Sequence, residues 1–584
     1  MPTAETAPRA AARDPRRVVW AALALVLAGG LALRLWGVRQ GLPFAYNTDE
    51  SQHFVPHAVR MFEEGTLNPH YFENPPAFTY LLHVIYALWY GGAAGATRAF
   101  RLHPQDLYTL ARVASALLGT LALWLLYATG ARLFNRLVGL LAAAIEAVAF
   151  LPVFYAHLAL NDVPTLAPLT LSLLGTAGIL RKGRARDHVI AGVGLGLACA
   201  SKYTAGIAIV PLLGAIAMGP AQAPAGRAAR AALGLVIAGG CALAAFLLAN
   251  PYSLLDFSAF GAELAHQSKL SAESQGKLGA PRDGGLLYYL WSLTWGLGWV
   301  PALAALGGAV AVWRSHRRLG VLLVPAAVLF LAFMGLQGRY FGRWLLPILP
   351  ILCLLAAFFA AGLIAALARR IGPSARAAGV AAGAAIVAVL LAQGLLYSIH
   401  SGLVLSRPDT RNVARAWMAA NLPAGAKIVV EPIAPNEWAN EIIPGTSTAS
   451  NPRMWQKYPS EFSRLSPSGV LQAAFTAHLS IENYERTLAP ALLGYYVSAG
   501  YCWVISGSTQ SGRAFADPRA VPLALAYYRE LARRGQVVFR ASPYSRGQAP
   551  VAFNFDWSFD YYPLAYSRPG PVVTIYRLHG GRCG

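Results

Sequence analysis

Apolar runs of 18 or more residues recur along much of this 584-residue chain, with short basic clusters between many of them. A run of that length crosses roughly 30 Å of hydrocarbon as one helix, so the pattern demands a membrane and leaves little room for a soluble core. Only 13% of the residues are charged and the mean hydropathy is +0.45, against about a quarter charged in an ordinary soluble domain. The first run, Val18 to Trp36, is too long for a removable leader and contains Arg34, with no small-residue cleavage site behind it. It reads as the first spanning helix.

The net charge of +22 could suggest a nucleic-acid partner. Its distribution excludes that reading. Arg13, Arg16 and Arg17, then Arg132 and Arg136, Arg181 to Arg186, Arg227 and Arg230, Arg314 to Arg318, and Arg369 to Arg376 all sit between apolar runs. Such clusters set orientation, with the basic side facing the cytoplasm. Placing every cluster inside predicts eleven crossings, near 18–37, 108–130, 137–157, 163–180, 188–204, 205–219, 231–249, 285–312, 319–336, 345–367 and 377–399. The N-terminus is then cytoplasmic and the C-terminus outside. Residues 77–93 are also apolar, but a crossing there would invert the later clusters, so they read as an aromatic-rich interfacial helix.

The expected organisation is a disordered cytoplasmic segment 1–17, a membrane domain 18–400 with long outer loops at 39–107 and 250–284, and an extracytoplasmic unit 401–584. In the last, Asp409 to Asn421 reads as an amphipathic helix and Leu523–Arg533 as another. Apolar runs at Ile428–Val430, Tyr501–Ile505, Val537–Phe539 and Val572–Tyr576 read as strands, which together suggest a small α/β fold. Cys199, Cys241 and Cys353 fall in apolar runs as packing residues. Cys502 and Cys583 lie in the polar tail, where a disulfide is chemically open though no spacing selects it.

Chemistry concentrates at the outer ends of the spans. Asp49 and Glu50 follow the first span directly, where a half-buried carboxylate can serve as a general base; two merely solvated acids would look the same. Glu73 stands before Asn74-Pro75-Pro76, whose prolines fix an extended segment, although an acid there also suits a helix start. Asp162 follows the third span and precedes Val163-Pro164, a helix-cap pattern in its own right. With His53, His57 and His70 nearby, these acids could also ligate a divalent cation, at Asp49 and Glu73 in particular, though no ligand spacing is diagnostic. Lys202 lies within an apolar stretch, and Arg339 and Arg343 sit at the outer end of the ninth span. Cations so placed suit a lipid phosphate, with interfacial snorkelling as the plain alternative. His266 and Lys269 could line an acceptor entrance or belong to a solvated loop. Glu146 is a mid-span acid without an evident partner.

At these residues the chain resembles the protein O-mannosyltransferase family and its bacterial relatives in the GT-C superfamily, among them the aminoarabinose lipid A transferases and lipopolysaccharide-core sugar transferases. The matching features are Asp49-Glu50, Glu73-Asn74-Pro75-Pro76, Asp162, Ser201-Lys202-Tyr203-Thr204, Arg339-Tyr340 with Leu345-Leu346-Pro347, and Asp409-Thr410-Arg411 to Pro423-Ala424-Gly425. The resemblance implies a polytopic α-helical GT-C fold and a polyprenyl-phosphate sugar donor. It further implies an inverting transfer to a hydroxyl of a protein, lipid or glycan acceptor at the outer face of a bacterial plasma membrane. It makes Asp49 the base, Glu50, Glu73 and Asp162 positioning groups for acceptor or metal, and Lys202, Arg339 and Arg343 donor-phosphate ligands. Two features depart from the pattern. Asn74 replaces the lysine usual in aminoarabinose transferases, and loop 250–284 is too short for the luminal insert of the eukaryotic enzymes. The main alternative is a transporter, whose substrate site would lie near mid-membrane between related halves; only Glu146 favours it. A non-catalytic sensor would not need the first-loop acids, and a whole-glycan ligase lacks these motifs.

Overall fold

The structure is a computed structural model that describes residues 15–220, 226–273, 278–280, 284–371, 375–423, 425–435, 438, 455–458, 464–465, 471–472, 481–555 and 563–584. The expected disorder of the first dozen residues lies outside these. Helices account for most of the described chain: α1 Pro15–Leu35, α2 Val55–Glu64, α3 Ala77–Trp89, α4 Ala93–Leu102, α5 Pro104–Leu133, α6 Arg136–Val148, α7 Phe150–Tyr155, α8 Leu166–Arg181, α9 Ala185–Ser201, α10 Ile209–Met218 and α11 Arg227–Ala249. After the short α12 Tyr252–Leu255 come α13 Phe257–Ala272, α14 Gly285–Leu293, α15 Trp299–Ser315, α16 Arg317–Gly335, α17 Leu349–Ile371, α18 Arg376–Leu405 and α19 Thr410–Asn421.

Helix therefore covers each of the eleven expected spans, and among the described residues seven helices are long and apolar enough by themselves to cross a membrane. The chain is a multi-pass membrane protein. The third expected span departs from one continuous rod: it breaks at Ala149 between α6 and α7. Local chemistry sets several starts. Asn135 caps α6 by accepting from the Val138 amide, and Pro104 opens α5 where its missing N–H costs nothing. Close helix approach relies on small residues, as expected where lipid removes the hydrophobic drive. A Cβ on Gly192 or Gly196 of α9 would overlap the carbonyls of Ala238 and Ala242 on α11, and one on Gly175 of α8 would strike Ala191 of α9.

Beyond α19 the chain forms a sheet. Its strands β1 Lys427–Val430, β2 Gln456–Tyr458, β5 Trp503–Gly507, β6 Gln536–Ala541 and β7 Val573–Arg577 lie in the order β2-β1-β5-β7-β6. A separate two-stranded piece joins β3 Arg464–Leu465 to β4 Leu471–Gln472. β1 runs parallel to β2 and β5, while β7 is antiparallel to β5 and β6. Ile428, Val429 and Val430 are all buried because both faces of β1 are covered. One face packs on α19 and on Phe44 from the first loop. The other packs on α20 Ala491–Ala499, α21 Ser508–Ala516 and α22 Pro522–Arg534. Cys502 and Cys583 form a disulfide, with Cα atoms 5.3 Å apart, tying the start of β5 to the chain end.

Beside β1 and β5 lies a second acidic centre, which the sequence reading did not single out. Glu431 and Glu485 are completely buried near Arg513, whose Nη1 is 3.7 Å from Glu485. Ser506 and the Gly507 amide donate to Glu431 at 2.9 and 2.6 Å. Burial pushes both carboxyls up to about 7, Arg513 pulling the other way on Glu485.

Candidate active site at one end of the bundle

The two adjacent acids after α1 point to different environments. Asp49 precedes one wide helical turn, Glu50–Phe54, that runs into α2. Glu50 is fully buried: Arg112 Nε and Nη2 donate to its two oxygens, each at 2.7 Å, and the Ala159 amide donates to one of them at 2.8 Å. Arg112 Nη1 also donates to the carbonyls of Val38 and Gln40. Every site on Glu50 that could face a ligand is thus occupied by the scaffold. Asp49 is on the open side, about a third exposed, and accepts from Arg343 Nη2 at 2.6 Å.

One turn on, His53 stacks on Tyr71 with ring centres 4.6 Å apart, and His57 stacks on the same tyrosine at 4.9 Å. The charges of Asp49, Glu73 and Arg343 all act on His53, while burial, the largest influence, lowers its proton affinity. His57 falls to about 4, through burial and then through Arg60. His53 and His57 therefore favour the neutral form.

Glu73 is held from below by the long second loop. Its amide donates to Glu263 of α13 at 3.0 Å, and the Phe72 amide donates to the same oxygen. Tyr203 donates its hydroxyl to the Phe72 carbonyl at 2.9 Å. The Glu73 side chain faces His266, 3.5 Å away. Glu263 was missed by sequence reasoning; the usable signal was its place one helical turn before His266. Lys269 does not join this group. It is three-quarters exposed and lies 4.0 Å from Glu273, the residue just past the end of its own helix.

Asp162 and Lys202 form a buried ion pair, with Asn161 donating to the Ser201 carbonyl beside it. Because Tyr203 reaches Phe72, this pair lies next to the Glu73 segment. The amides of Gly338 and Arg339 both donate to the Ser271 carbonyl, so the end of α13 ties down the strand-like segment leading to Arg343. The Arg339 side chain is half-buried, and the Arg343 guanidinium lies 5.3 Å from the Phe341 ring. Finally, α19 grips the loop that carries Asp49: Asn412 donates to the Gly41 carbonyl at 3.0 Å and accepts from the Tyr46 hydroxyl, and Arg411 covers the Tyr46 ring at 3.5 Å.

Loops far apart in sequence thus bring Asp49, His53, Tyr71, Glu73, Glu263, His266 and Arg343 together, with Asp162 and Lys202 adjacent. The fit to a resident divalent cation is poor. Among the described residues no group of three or more His, Cys, Asp or Glu side chains is placed to hold one. The Asp49 carboxylate is engaged by a guanidinium instead. Glu146, deep in α6, has Arg34 for a neighbour; Arg34 donates to the main-chain carbonyls of Gly30, Glu146 and Ala147.

A bundle of apolar helices with an acid-bearing first loop at one end and a small terminal sheet is the architecture of the GT-C membrane glycosyltransferases, and this chain has that fold. Residues 102–248 match the family model for dolichyl-phosphate-mannose-protein mannosyltransferase, a stretch that contains Asp162 and Lys202, so the resemblance drawn from the motifs holds. No curated protein matches the sequence. Among solved structures, the oligosaccharyltransferase of Archaeoglobus fulgidus in its apo form is 13% identical, with a TM-score of 0.50 over 91% of this chain and 74% of that one. ArnT from Cupriavidus metallidurans, bound to undecaprenyl phosphate, is 15% identical with a TM-score of 0.45, covering 96% of this chain and 98% of its own. The Pmt1–Pmt2 complex of S. cerevisiae, bound to the sugar donor, is 20% identical with a TM-score of 0.33 over 42% and 34%.

Proposed function

We propose that this chain transfers a sugar from a polyprenyl-phosphate donor to an acceptor hydroxyl, with inversion, at the extracytoplasmic face of a bacterial plasma membrane. The observation that carries the reading is the contact of Asp49 with Arg343 inside a cluster that also holds Glu73 and His53. A general base and a phosphate ligand are needed within one donor's length of each other, and here they touch.

In the reaction, Asp49 accepts the proton of the acceptor hydroxyl as its oxygen attacks the anomeric carbon. The bond from that carbon to the phosphate oxygen breaks, and its electron pair leaves with the polyprenyl phosphate. Arg343, Arg339 and Lys202 stabilise the departing charge, arginine by two parallel hydrogen bonds. Since Arg343 rests on Asp49 and Lys202 on Asp162, an arriving phosphate competes for both cations. Drawing Arg343 away uncovers Asp49 only when donor is bound. Glu73 and His266 face the acceptor, Asp162 orients Lys202, and Glu50 holds the loop through Arg112. Lys269 has no part.

The test is purified protein assayed against a panel of radiolabelled polyprenyl-phosphate sugars, with donor hydrolysis counted as minimal activity. Release of labelled sugar that vanishes in Asp49→Asn supports the reading. Full activity in that variant removes Asp49 from the mechanism, and no release from any donor removes the donor class.

A further inference from the structure

We propose that the cleft between α2 and α4 binds the phosphate group of an anionic membrane phospholipid, with its acyl chains lying along the exposed stripe of α3. The cleft encloses about 500 Å³ and is lined by Phe62 and Glu63 from α2 and by Ala94, Thr97, Arg98 and Arg101 from α4. None of these residues belongs to the carboxylate cluster, so the site stands whether or not the transfer reaction is as proposed.

Three features point to a lipid. First, α3 carries an unpartnered apolar stripe at Leu81, Val84 and Leu88, continued by Trp89; the last two are 80% and 70% exposed. Such a stripe is anomalous facing water and normal for a helix lying in the membrane interface. Second, Gly91 and Gly92, at φ of 71° and 104°, reverse the chain in a conformation open to glycine. The reversal sets Ala93 and Ala94 at the mouth of the cleft, directly after the aromatic end of the stripe. Acyl chains on α3 would therefore place a headgroup at this mouth. Third, the charge is complementary. Arg101 donates to Glu63 at 3.2 Å from a mostly exposed position, which leaves further guanidinium donors. Arg98 is exposed, and among the described residues no carboxylate pairs with it. Two arginines one turn apart present a fork that fits phosphate geometry, and basic residues at the membrane surface attract anionic headgroups.

The experiment is native mass spectrometry of the full chain released from nanodiscs holding equal parts of phosphatidylglycerol and phosphatidylcholine. The wild type should retain phosphatidylglycerol selectively. Arg98→Gln/Arg101→Gln should lower that retention roughly tenfold or more, while Glu63→Gln, which frees Arg101, should raise it. Equal retention by wild type and double variant overturns the proposal. So does displacement of the lipid by equimolar inorganic phosphate, which would make the ligand a free anion. The Glu63→Gln arm leaves both arginines in place and decides the matter even where the double variant fails to fold: unchanged or weaker retention there sinks the idea.

Discussion

The acids at the end of the bundle and the acids beside β1 solve opposite problems. At the bundle end three carboxylates each face a basic group: Arg343 on Asp49, His266 on Glu73, Lys202 on Asp162. Asp49 and Glu73 also stay about a third exposed. Beside the sheet, Glu431 and Glu485 are sealed from solvent, with Arg513 beside Glu485 and only neutral donors, Ser506 and the Gly507 amide, on Glu431. A carboxylate matched to a mobile cation at an opening can exchange that partner for a ligand. Two interior carboxylates that repel each other, with a cation beside only one of them, cannot both stay charged cheaply, and they register pH instead. The same residue type is turned to different work by partner count and access to water.

The sharpest way to break this contrast is Asp49→Asn, which keeps the shape of the site and removes its base. Transfer should fall by about 10²–10⁴-fold, with circular dichroism and elution volume unchanged. The neighbouring position should behave in the reverse manner. Arg112→Met strips Glu50 of its bidentate partner in a fully buried setting, and an uncompensated buried charge costs about 3–5 kcal/mol. Thermal unfolding in detergent should show that loss, and Glu50→Gln should lower stability in the same direction, because it leaves Arg112 as the unpaired buried charge. If Arg112→Met melted like the wild type, Glu50 would not be the anchor described.

The sheet centre should respond to pH with a definite sign. Its carboxyls bind protons more tightly folded than unfolded, rising from 4.5 to about 7. Their protonated forms favour the native state, so stability is greatest below about 4.5, declines as pH climbs towards 7, and levels off above it. The slope is at most about 1.4 kcal/mol per pH unit for each carboxyl. Denaturation followed by Trp503 fluorescence at several pH values measures it, and Glu485→Gln should flatten it. A flat profile in the wild type would mean that the two acids are matched by charge after all.

How much of this contrast the sequence discloses depends on whether the partner is local. The helices over the expected spans follow from run length, and α19 from its apolar period and its Asp409 cap. Ile428–Val430, Val537–Phe539 and the other apolar runs fall on β1, β6, β5 and β7. Asp49 and Glu50 read alike because adjacency does not tell which side of a turn each faces. The difference lies in Arg112, 62 residues away, whose apolar context suggests only a spanning helix. Lys202 reads as a lone cation for the same reason, its partner Asp162 being 40 residues off. Glu431 and Glu485 look like ordinary polar residues of a soluble tail, and only the packed sheet shows that water is excluded from them. The Cys502–Cys583 bond joins residues 81 apart, a distance no spacing rule selects.

The smallest expected effect separates two residues of one helix that look equivalent in sequence. His266 and Lys269 both lie on α13, three positions apart, in a loop that could line an acceptor path. Only His266 turns towards the cluster, 3.5 Å from Glu73; Lys269 is three-quarters exposed beside Glu273. An exposed pair of that kind contributes little, being screened by salt and opposed by side-chain entropy. Lys269→Ala should therefore change KM for the acceptor by less than about twofold, whereas His266→Ala, which removes the contact to Glu73, should raise it several-fold with kcat less affected. Steady-state assays at two salt concentrations make the comparison. Equal effects from both variants would mean that the whole helix face, and not the Glu73 contact, meets the acceptor.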